Sequence, residues 1–273
     1  MTVPSPSSET GTTGPDLLAL WAASMRFGGL APTTLRTRIG ALRRLETERG
    51  PLDQITRPDL IDWLGGFKRS STRSTNLSYV RCFFEWAHDQ GYVAANPALK
   101  LPKIKVPRAM PRPVPTEQLQ AALSAASDRD RLWLELMAYA GLRVSEVAAC
   151  RPADAWLSVE GTWWLRVPHG KGGHDQQVPL PRWLGERLSA AEPWDVGLQQ
   201  VYRHCRDLLR SVGSPSTPHA CRHFYATASL RSTGNLRVVQ QMLRHADVST
   251  TARYTAVTSQ EMVDAAEGLP RFV

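Results

Sequence analysis

Apolar residues in the first third of the chain recur every three or four positions, which is the spacing of one face of an α-helix. Stretches with this pattern follow one another, and glycine or proline separates each from the next. The second stretch opens at Pro32-Thr33-Thr34, where a threonine is the expected N-cap. We therefore predict an all-α bundle over residues 15–97. The preceding residues 1–14 are rich in Ser, Thr, Gly and Pro, and we expect them to be a disordered lead-in.

The pattern changes after residue 115. Helical spacing continues from Thr116, the expected cap of the next helix, through Cys150. Beyond Pro152, short runs of β-branched and aromatic residues are split by glycines: WLSVEG, TWWLRVPH and QQVPL. These runs predict a small antiparallel sheet with Lys171 at a hairpin tip, after which helical spacing resumes. The predicted fold is mainly α with a small antiparallel β-sheet, and an α+β domain over residues 116–273 follows the all-α bundle.

Residues 98–115 are predicted to connect the two domains. Prolines recur through this stretch and prevent a continuous helix, so we expect an extended, semi-rigid segment. Several lysines and arginines give it a positive charge, and Lys103 and Lys105 are candidate contacts to DNA. A basic, extended linker would let two folded units close around a duplex.

Composition narrows the class of protein. Hydrophobic residues make up 42% of the 273 positions, but no run of about 18 apolar residues that could span a membrane occurs. The first residues lack the basic and apolar regions of a signal peptide. The net charge of +8 is mostly arginine within predicted folded segments, which favours a structured groove for an anionic partner. The cysteines form no CxxC pair, which favours reduced cytoplasmic thiols over a zinc module or a disulfide framework: Cys82, Cys150, Cys205 and Cys221.

Arginines crowd the polar side of the second predicted helix, opposite its apolar stripe. Two interpretations stay open for them, a solvated basic face or a surface that contacts DNA phosphates. The same alternatives apply to three cationic residues that are expected to precede the fourth helix. The candidate DNA contacts in this domain are Arg36, Arg43, Arg44, Lys68, Arg69 and Arg73.

Residues 219–254 concentrate side chains that suit phosphodiester chemistry. His219 and Arg222 are three positions apart and share one face of a predicted helix. His245 follows an apolar helical pattern, and Tyr254 comes nine positions later. Each residue alone has an ordinary structural explanation, such as a capping histidine, a surface ion pair or a packing tyrosine. Together they supply the cations, neutral donors and phenol that phosphodiester cleavage would need if it ran without a metal.

Four motifs carry a resemblance to a known family. In chain order they are AGLRVSEV, RVPHGKGGHDQQVPL, TPHACRHFYAT and LRHADVSTTARYT. They resemble the first-arginine, hairpin-lysine, His-x-x-Arg and histidine-then-nucleophile motifs of the tyrosine recombinases, or phage integrases. The first domain resembles the helical, SAM-like core-binding domain of that family by pattern and position. The resemblance covers most of residues 15–258 and implies a site-specific DNA recombinase.

The resemblance assigns six catalytic positions: Arg143, Lys171, His219, Arg222, His245 and Tyr254. Tyr254 is the expected nucleophile, and its phenol needs a proton acceptor because its ordinary pKa is about 10. His219 is the expected base. Arg143 and Arg222 are expected to clamp the nonbridging oxygens, on which negative charge develops. Lys171 is the expected acid for the leaving 5′-hydroxyl.

Further residues complete the expected site. His245 would donate a hydrogen bond to the phosphate. Glu146, expected on the same helical face as Arg143, would orient the site. Arg244 stands where the family usually has glycine, so it could perturb the turn or reach DNA. His219 and His223 have the i, i+4 spacing of helical zinc ligands, but the sequence offers no obvious third ligand, so we expect no metal and no cofactor.

The expected partner is double-stranded DNA with inverted core half-sites, bound by a homo-oligomer that forms a tetrameric synapse. An accessory DNA-bending or directionality protein is a further possible partner, and no membrane is involved. The tail beyond Tyr254 has Met262, Val263 and Ala266 at helical spacing, and it could dock on a neighbouring subunit or pack within its own chain.

Several biological roles stay open. Residues 1–14 are too few for the arm-binding domain of larger phage integrases, so we expect a compact integrase of a phage or mobile element. An Xer-like resolvase of chromosome or plasmid dimers is the alternative. A type IB topoisomerase-like enzyme and a non-catalytic DNA-binding protein are further alternatives. The core-binding domain and linker disfavour the topoisomerase, and the intact catalytic set disfavours the non-catalytic protein. Either recombinase would act in the bacterial cytoplasm or nucleoid.

Overall fold

The structure is a computed structural model, and it describes residues 16–107, 112–168, 175–244 and 259–270. The chain divides into two compact units, Met1–Ala109 and Met110–Val273. Each unit has a hydrophobic core of its own. No helix in the described part of the chain is long and apolar enough to cross a membrane. The predicted lead-in at residues 1–14 lies outside the described residues.

The described residues of the first unit form the predicted helical bundle: α1 (Leu17–Phe27), α2 (Pro32–Arg49), α3 (Arg57–Gly65) and α4 (Ser70–Asp89). Thr56 begins α3 with a capping box, because its hydroxyl accepts from the N–H of Asp59 and the Asp59 carboxylate accepts from the N–H of Thr56. The core is built around fully buried side chains such as Leu42, Val80 and Phe83.

Two predicted helix starts in the first unit are wrong. Helix α2 begins at Pro32 with Ala31 as its N-cap, so neither threonine caps it. Proline suits the first helical position because its ring fixes φ and the missing N–H has no helical partner there. Helix α4 begins at Ser70, so Arg73 lies inside the helix rather than before it.

Residues that the sequence predicted to be linker pack into both units. Ala98 and Leu101 are buried in the core of the first unit. Val114 is buried in the second unit, where its N–H donates to the carbonyl of Ala220 at 3.2 Å. The exposed positions between them include Lys103 and Lys105.

The second unit combines helices with the predicted small antiparallel sheet. Its described elements are α5 (Thr116–Ala125), α6 (Asp128–Tyr139), α7 (Val144–Ala149), β1 (Ala155–Leu157), β2 (Trp163–Val167), β3 (Gln176–Leu180), α8 (Arg182–Ser189), α9 (Leu198–Ser211), α10 (His219–Thr233), α11 (Leu236–Met242) and α12 (Ser259–Glu267). The strands lie in the order β1-β2-β3, and Leu165 pairs with both Ala155 and Val178. This arrangement confirms the predicted fold class.

Helix α6 lies at the centre of the second unit. It packs against α5, α8, α9 and α10, and all its residues from Leu132 to Tyr139 are buried. It begins at Asp128, where the Ser127 hydroxyl caps the helix by accepting from the N–H of Asp130. The predicted cap of α5 is also wrong, since Thr116 is the first helical residue and Pro115 precedes it. Helix α6 thus anchors the elements that carry the candidate site.

The C-terminal helix α12 packs within its own chain in this structure. It contacts β3, α10 and α11, and Ala266 and Leu269 are buried. The carboxylate of Glu267 accepts a 2.8 Å hydrogen bond from the backbone N–H of Arg182, the first residue of α8. Pro181 offers α8 no side-chain cap, so Glu267 supplies an acceptor to that helix start.

Candidate active site

Arg143 and Glu146 form one local structure at the start of α7. Arg143 is the N-cap residue rather than a helical residue, with φ −76° and ψ 157°. Glu146 Oε2 accepts from the Arg143 backbone N–H at 2.7 Å, and Oε1 accepts from Arg143 Nη1 at 2.6 Å. The predicted shared helical face is therefore wrong. The carboxylate instead reaches back over the helix start and fixes the guanidinium by its charge.

Arg222 enters the same site from α10 and is almost fully buried, with 4% of its side chain exposed. Its Nη1 donates to the carbonyl of Gly141, and its Nη2 donates to the carbonyl of Leu243. The guanidinium also lies 3.7 Å from Glu146 Oε2. Burial, together with the nearby guanidinium of Arg143 and of Arg244, lowers the pKa of Arg222 to about 9. The main-chain carbonyls therefore orient a cation that the protein itself only partly neutralises.

Arg244 follows α11 and points into the protein. Its Nη2 donates to Glu146 Oε2 at 2.6 Å and to the Gly141 carbonyl at 3.4 Å, and only 2% of its side chain is exposed. Its φ is 54°, a backbone conformation that favours glycine, which is the residue that tyrosine recombinases usually have at this position. The side chain is turned inward, toward Glu146, and not outward to solvent.

Glu146 is the point at which these cations meet. Burial raises the pKa of its carboxyl group, but the charge of Arg244 and the hydrogen bonds from Arg143 outweigh that effect, and the pKa falls below its ordinary value. The carboxylate is therefore ionised at neutral pH. Arg143 and Arg222, far apart in the sequence, are held together by this one anion.

His219 lies at the first position of α10, one turn before Arg222, and is exposed to solvent. Its ring packs edge-on against His223, with centroids 4.7 Å apart and an interplanar angle of 77°. Burial and the charge of Arg222 lower the pKa of His223. Within the described ranges, no group of three or more His, Cys, Asp or Glu side chains is arranged to hold a metal ion.

The remaining predicted catalytic residues lie outside the described residues: Lys171, His245 and Tyr254. Strands β2 and β3 pair antiparallel as far as Val167 and Gln176, so the described ends of the hairpin flank the segment that holds Lys171. The structure thus brings together Arg143, Glu146 and Arg222, and it places His219 on the helix of Arg222.

The basic residues of the first unit lie in different surroundings. Arg36 and Arg43 line a groove of about 650 Å³ with residues of α1 and the start of α2. Arg44 lines a different groove of about 420 Å³ between α2 and α4, and its guanidinium stacks 4.7 Å above the ring of Phe67. Arg73 donates to the carbonyl of Phe67 at 2.8 Å. The other candidates are exposed: Lys68, Arg69, Lys103 and Lys105.

The main-chain carbonyls that form part of the site were not predicted from the sequence. The carbonyls of Gly141 and Leu243 hold Arg222, and a carbonyl leaves no signature in the residue type. The contact between Arg244 and Glu146 was not predicted either. The signal for that contact was the replacement of a usual glycine by arginine.

Comparison with known proteins gives consistent matches. Residues 196–261 match the phage integrase family. The chain is 33% identical over 297 aligned residues to tyrosine recombinase XerD of Ralstonia nicotianae, and the alignment covers 96% of this chain and 94% of that protein.

Solved structures agree with this match. The integrase from mycobacterium phage Brujita is 26% identical, with a TM-score of 0.52 and coverage of 93% of this chain and 92% of that one. A lambda integrase dimer bound to a COC′ core site is 20% identical, with a TM-score of 0.67 and coverage of 89% and 98%. A lambda integrase tetramer bound to a Holliday junction is 18% identical, with a TM-score of 0.67 and coverage of 89% and 79%. At these identities the lambda structures support the fold alone.

Proposed function

Because the chain belongs to the tyrosine recombinase family, we propose that it breaks and rejoins DNA strands through a covalent bond between Tyr254 and a 3′-phosphate. The observation that carries this proposal is the convergence of Arg143 and Arg222 on the buried carboxylate of Glu146. Two guanidinium groups held in this way can bind the nonbridging oxygens of a phosphodiester bidentately.

In the proposed cleavage step, the Tyr254 hydroxyl oxygen bonds to phosphorus while the bond from phosphorus to the 5′-oxygen breaks. The phenol proton passes to His219, and the leaving 5′-oxygen receives a proton from Lys171. A 5′-hydroxyl then attacks the phosphotyrosyl bond in the reverse sense and releases Tyr254. The number of phosphodiester-type bonds does not change, so no ATP is required.

Arg143 and Arg222 are proposed to stabilise the pentacoordinate phosphorus, which carries one more negative charge than the starting phosphodiester. His245 adds a hydrogen bond to the same phosphate. Glu146 does not touch the substrate in this scheme; it positions Arg143, to which it is hydrogen-bonded at 2.6 Å. Loss of one such donor typically costs about 2.7–4 kcal/mol of the activation free energy.

The proposed partner is double-stranded DNA with inverted core half-sites, bound by more than one copy of the chain. Lambda integrase, with which this chain shares its fold, has been solved as a dimer on a core site and as a tetramer on a Holliday junction. We propose the same kind of assembly here, a synaptic tetramer. The first unit would contribute the exposed arginines of α2 and the lysines of the basic segment before residue 108.

The proposed biological role is integration and excision of a phage or mobile element in the bacterial cytoplasm. The match to the Brujita phage integrase, which extends over 93% of this chain, supports this role. The second candidate is resolution of chromosome or plasmid dimers. It is favoured by the 33% identity to tyrosine recombinase XerD, which extends over 96% of this chain.

A covalent-trapping experiment tests the mechanism. Binding sites are first selected from a random DNA pool with the Tyr254→Phe variant, and a selected site is then built as a nicked suicide duplex. The wild type should form a protein–DNA adduct that resists denaturant, as should the matched control Tyr202→Phe, whereas Tyr254→Phe should form none. An adduct with Tyr254→Phe, or none with the wild type, would refute the mechanism.

The two roles are separated by where the protein acts in its host. Chromatin immunoprecipitation of Tyr254→Phe maps the occupied sites. Occupancy at the ends of an element that carries the gene supports integration. Occupancy of one chromosomal site unconnected with any element supports dimer resolution instead.

A further inference from the structure

The candidate active site holds more positive charge than its carboxylate can neutralise. In the described residues, the guanidinium groups of Arg143, Arg222 and Arg244 all lie within 3.7 Å of a Glu146 oxygen. Of these, Arg222 and Arg244 are almost fully buried. Burial, and after it the charges of Arg143 and Arg244, lower the pKa of Arg222 even though Glu146 lies beside it. Three guanidinium groups and one carboxylate leave a surplus of about two positive charges, and two of the guanidinium groups are buried, so the site calls for an anionic ligand.

Two hydrogen-bond donor atoms of Arg244 have no acceptor among the described residues. Its Nη2 is used by Glu146 and the Gly141 carbonyl, but its Nε and Nη1 are buried without a hydrogen-bond partner in the part of the chain that the structure describes. A buried donor that loses its water and gains no acceptor is destabilising. These two atoms are therefore placed as donors awaiting an acceptor.

A purely structural role accounts poorly for Arg244. Glu146 also accepts from the backbone N–H and from Nη1 of Arg143, so Arg244 is one of two arginines that hold its charge, and neither Nε nor Nη1 of Arg244 takes part. Arg244 is also the only described residue other than glycine with a positive φ, a backbone conformation that is strained for an L-residue. Backbone strain and unmet donors at one residue are typical of sites completed by a ligand.

Building on the proposed function, we propose that Arg244 binds the scissile phosphate, as a third guanidinium beside Arg143 and Arg222. Its Nε and Nη1 donate to a nonbridging oxygen. A phosphodiester carries one negative charge, and the pentacoordinate transition state carries two. Three guanidinium groups and one carboxylate leave a surplus that matches the transition state better than the ground state, so Arg244 favours the chemical step more than DNA binding.

The test uses two suicide duplexes that differ only at the cleavage position. One has an ordinary phosphate there, and the other has a neutral methylphosphonate, in which a methyl group replaces one nonbridging oxygen. Covalent adduct formation is timed for the wild type, Arg244→Gly and Arg244→Lys. On the phosphate duplex, Arg244→Gly should react about 100- to 1,000-fold more slowly than the wild type, as for loss of one oxyanion donor. On the methylphosphonate duplex the slowing should be smaller by a factor of about 10 or more, because there is less charge to stabilise.

Controls separate charge recognition from damage to the fold. Arg187→Gln breaks a different pair with a buried carboxylate, Glu135, at 3.2 Å, and should affect both duplexes equally. Arg244→Lys keeps a charge next to Glu146 and should fall between the wild type and Arg244→Gly on the phosphate duplex. Circular dichroism melts show whether each Arg244 variant is folded. If Arg244→Gly is unfolded, the adduct rates of Arg244→Lys on the two duplexes are compared with those of the wild type instead.

The outcomes are distinct. Equal slowing of an Arg244 variant on both duplexes, or no slowing, overturns the assignment of Arg244 to the phosphate. A wild type that forms no adduct on either duplex instead overturns the proposed function, whatever the Arg244 variants do.

Discussion

A β-carbon added to Gly141 would lie 2.5 Å from Cδ1 of Tyr225, closer than real side chains approach one another. Tyr225 is fully buried on α10, and Gly141 follows the end of α6 with a positive φ of 63°. The Gly141 carbonyl accepts a hydrogen bond from Arg222. The absence of a side chain at Gly141 thus allows α10 to approach closely enough for its arginine to reach the site.

Gly141→Ala should therefore destabilise the second unit. Gly213→Ala is the matched control, because Gly213 also has a positive φ, 76°, but a β-carbon there meets nothing within 4 Å. Gly213→Ala should lose only the cost of placing a residue with a β-carbon at a positive φ, about 1–2 kcal/mol of unfolding free energy. Gly141→Ala should lose about 1–3 kcal/mol more from overpacking. Urea unfolding measures both, and equal losses would show that the contact with Tyr225 carries no strain.

The ionised carboxylate of Glu146 should make stability depend on pH. Its pKa is depressed in the folded protein, so its contribution is fully present above the ordinary value of about 4.5 and disappears as the pH falls through the lower folded value. Glu146→Gln should cost roughly 3 kcal/mol at neutral pH, because it leaves buried arginines without their anion.

The difference in unfolding free energy between Glu146→Gln and the wild type should become smaller at acidic pH. Thermal melts between neutral pH and about pH 3 follow it. Glu192→Gln, at an exposed carboxylate, is the control and should track the wild type throughout. A stability difference between Glu146→Gln and the wild type that stayed constant with pH would mean that the ionised carboxylate does not stabilise the site.

Gly185→Ala should loosen the packing of α8 on the sheet. Its β-carbon would lie 2.2 Å from Cγ of Trp163 on β2, so we expect a loss of about 1–3 kcal/mol from overpacking. Trp163→Gly removes both the obstructing ring and the β-carbon of Trp163, which would itself lie 2.5 Å from the added atom. The double variant should therefore be less destabilised than the sum of the two single variants, as measured by urea unfolding. Strict additivity would exclude this contact as the cause.

Arg36 and Arg43 should contribute to DNA affinity by neutralising phosphates. Both are exposed on one side of α2, and neither forms an ion pair with another described residue. Replacing both by alanine should reduce the slope of log affinity against log salt by about 1.8, which is about 0.9 for each phosphate that is no longer neutralised. Arg49→Ala is the control, because Arg49 is already paired with Asp62 at 2.5 Å. A double variant with an unchanged slope would favour the alternative of a solvated basic face.

Periodicity was sufficient for the fold class but not for several helix starts. The three- and four-residue spacing that predicts α2 is produced by buried side chains such as Leu42 and Leu45, so the pattern and the packing share one cause. A helix start depends instead on the conformation of single residues. Ala31 is extended and Pro32 is helical, and nothing in the spacing distinguishes that choice from a cap at Thr33.

The candidate site was predictable where it depends on side chains and unpredictable where it depends on backbone. The motifs indicated Arg143, Glu146 and Arg222, and the structure brings these three together. The positive φ of Arg244 and its contact with Glu146 are features of the folded backbone that no spacing rule encodes. The role of the Gly141 carbonyl follows from its distance to a helix that lies far along the chain.

If the proposed assembly forms by exchange of C-terminal segments, Glu267 would relate helix capping to the arrangement of the protomers. Each chain has one α8 start that needs an acceptor and one tail that provides it, with a hydrogen bond of 2.8 Å to Arg182. If tails pass between neighbours on DNA, a closed ring leaves every α8 capped, because each chain gives one tail and receives one. An open row of protomers leaves one α8 uncapped, at a cost of about 1 kcal/mol. In an assembly with exchanged tails, the cap that Glu267 gives to α8 therefore favours a closed ring of protomers over an open row.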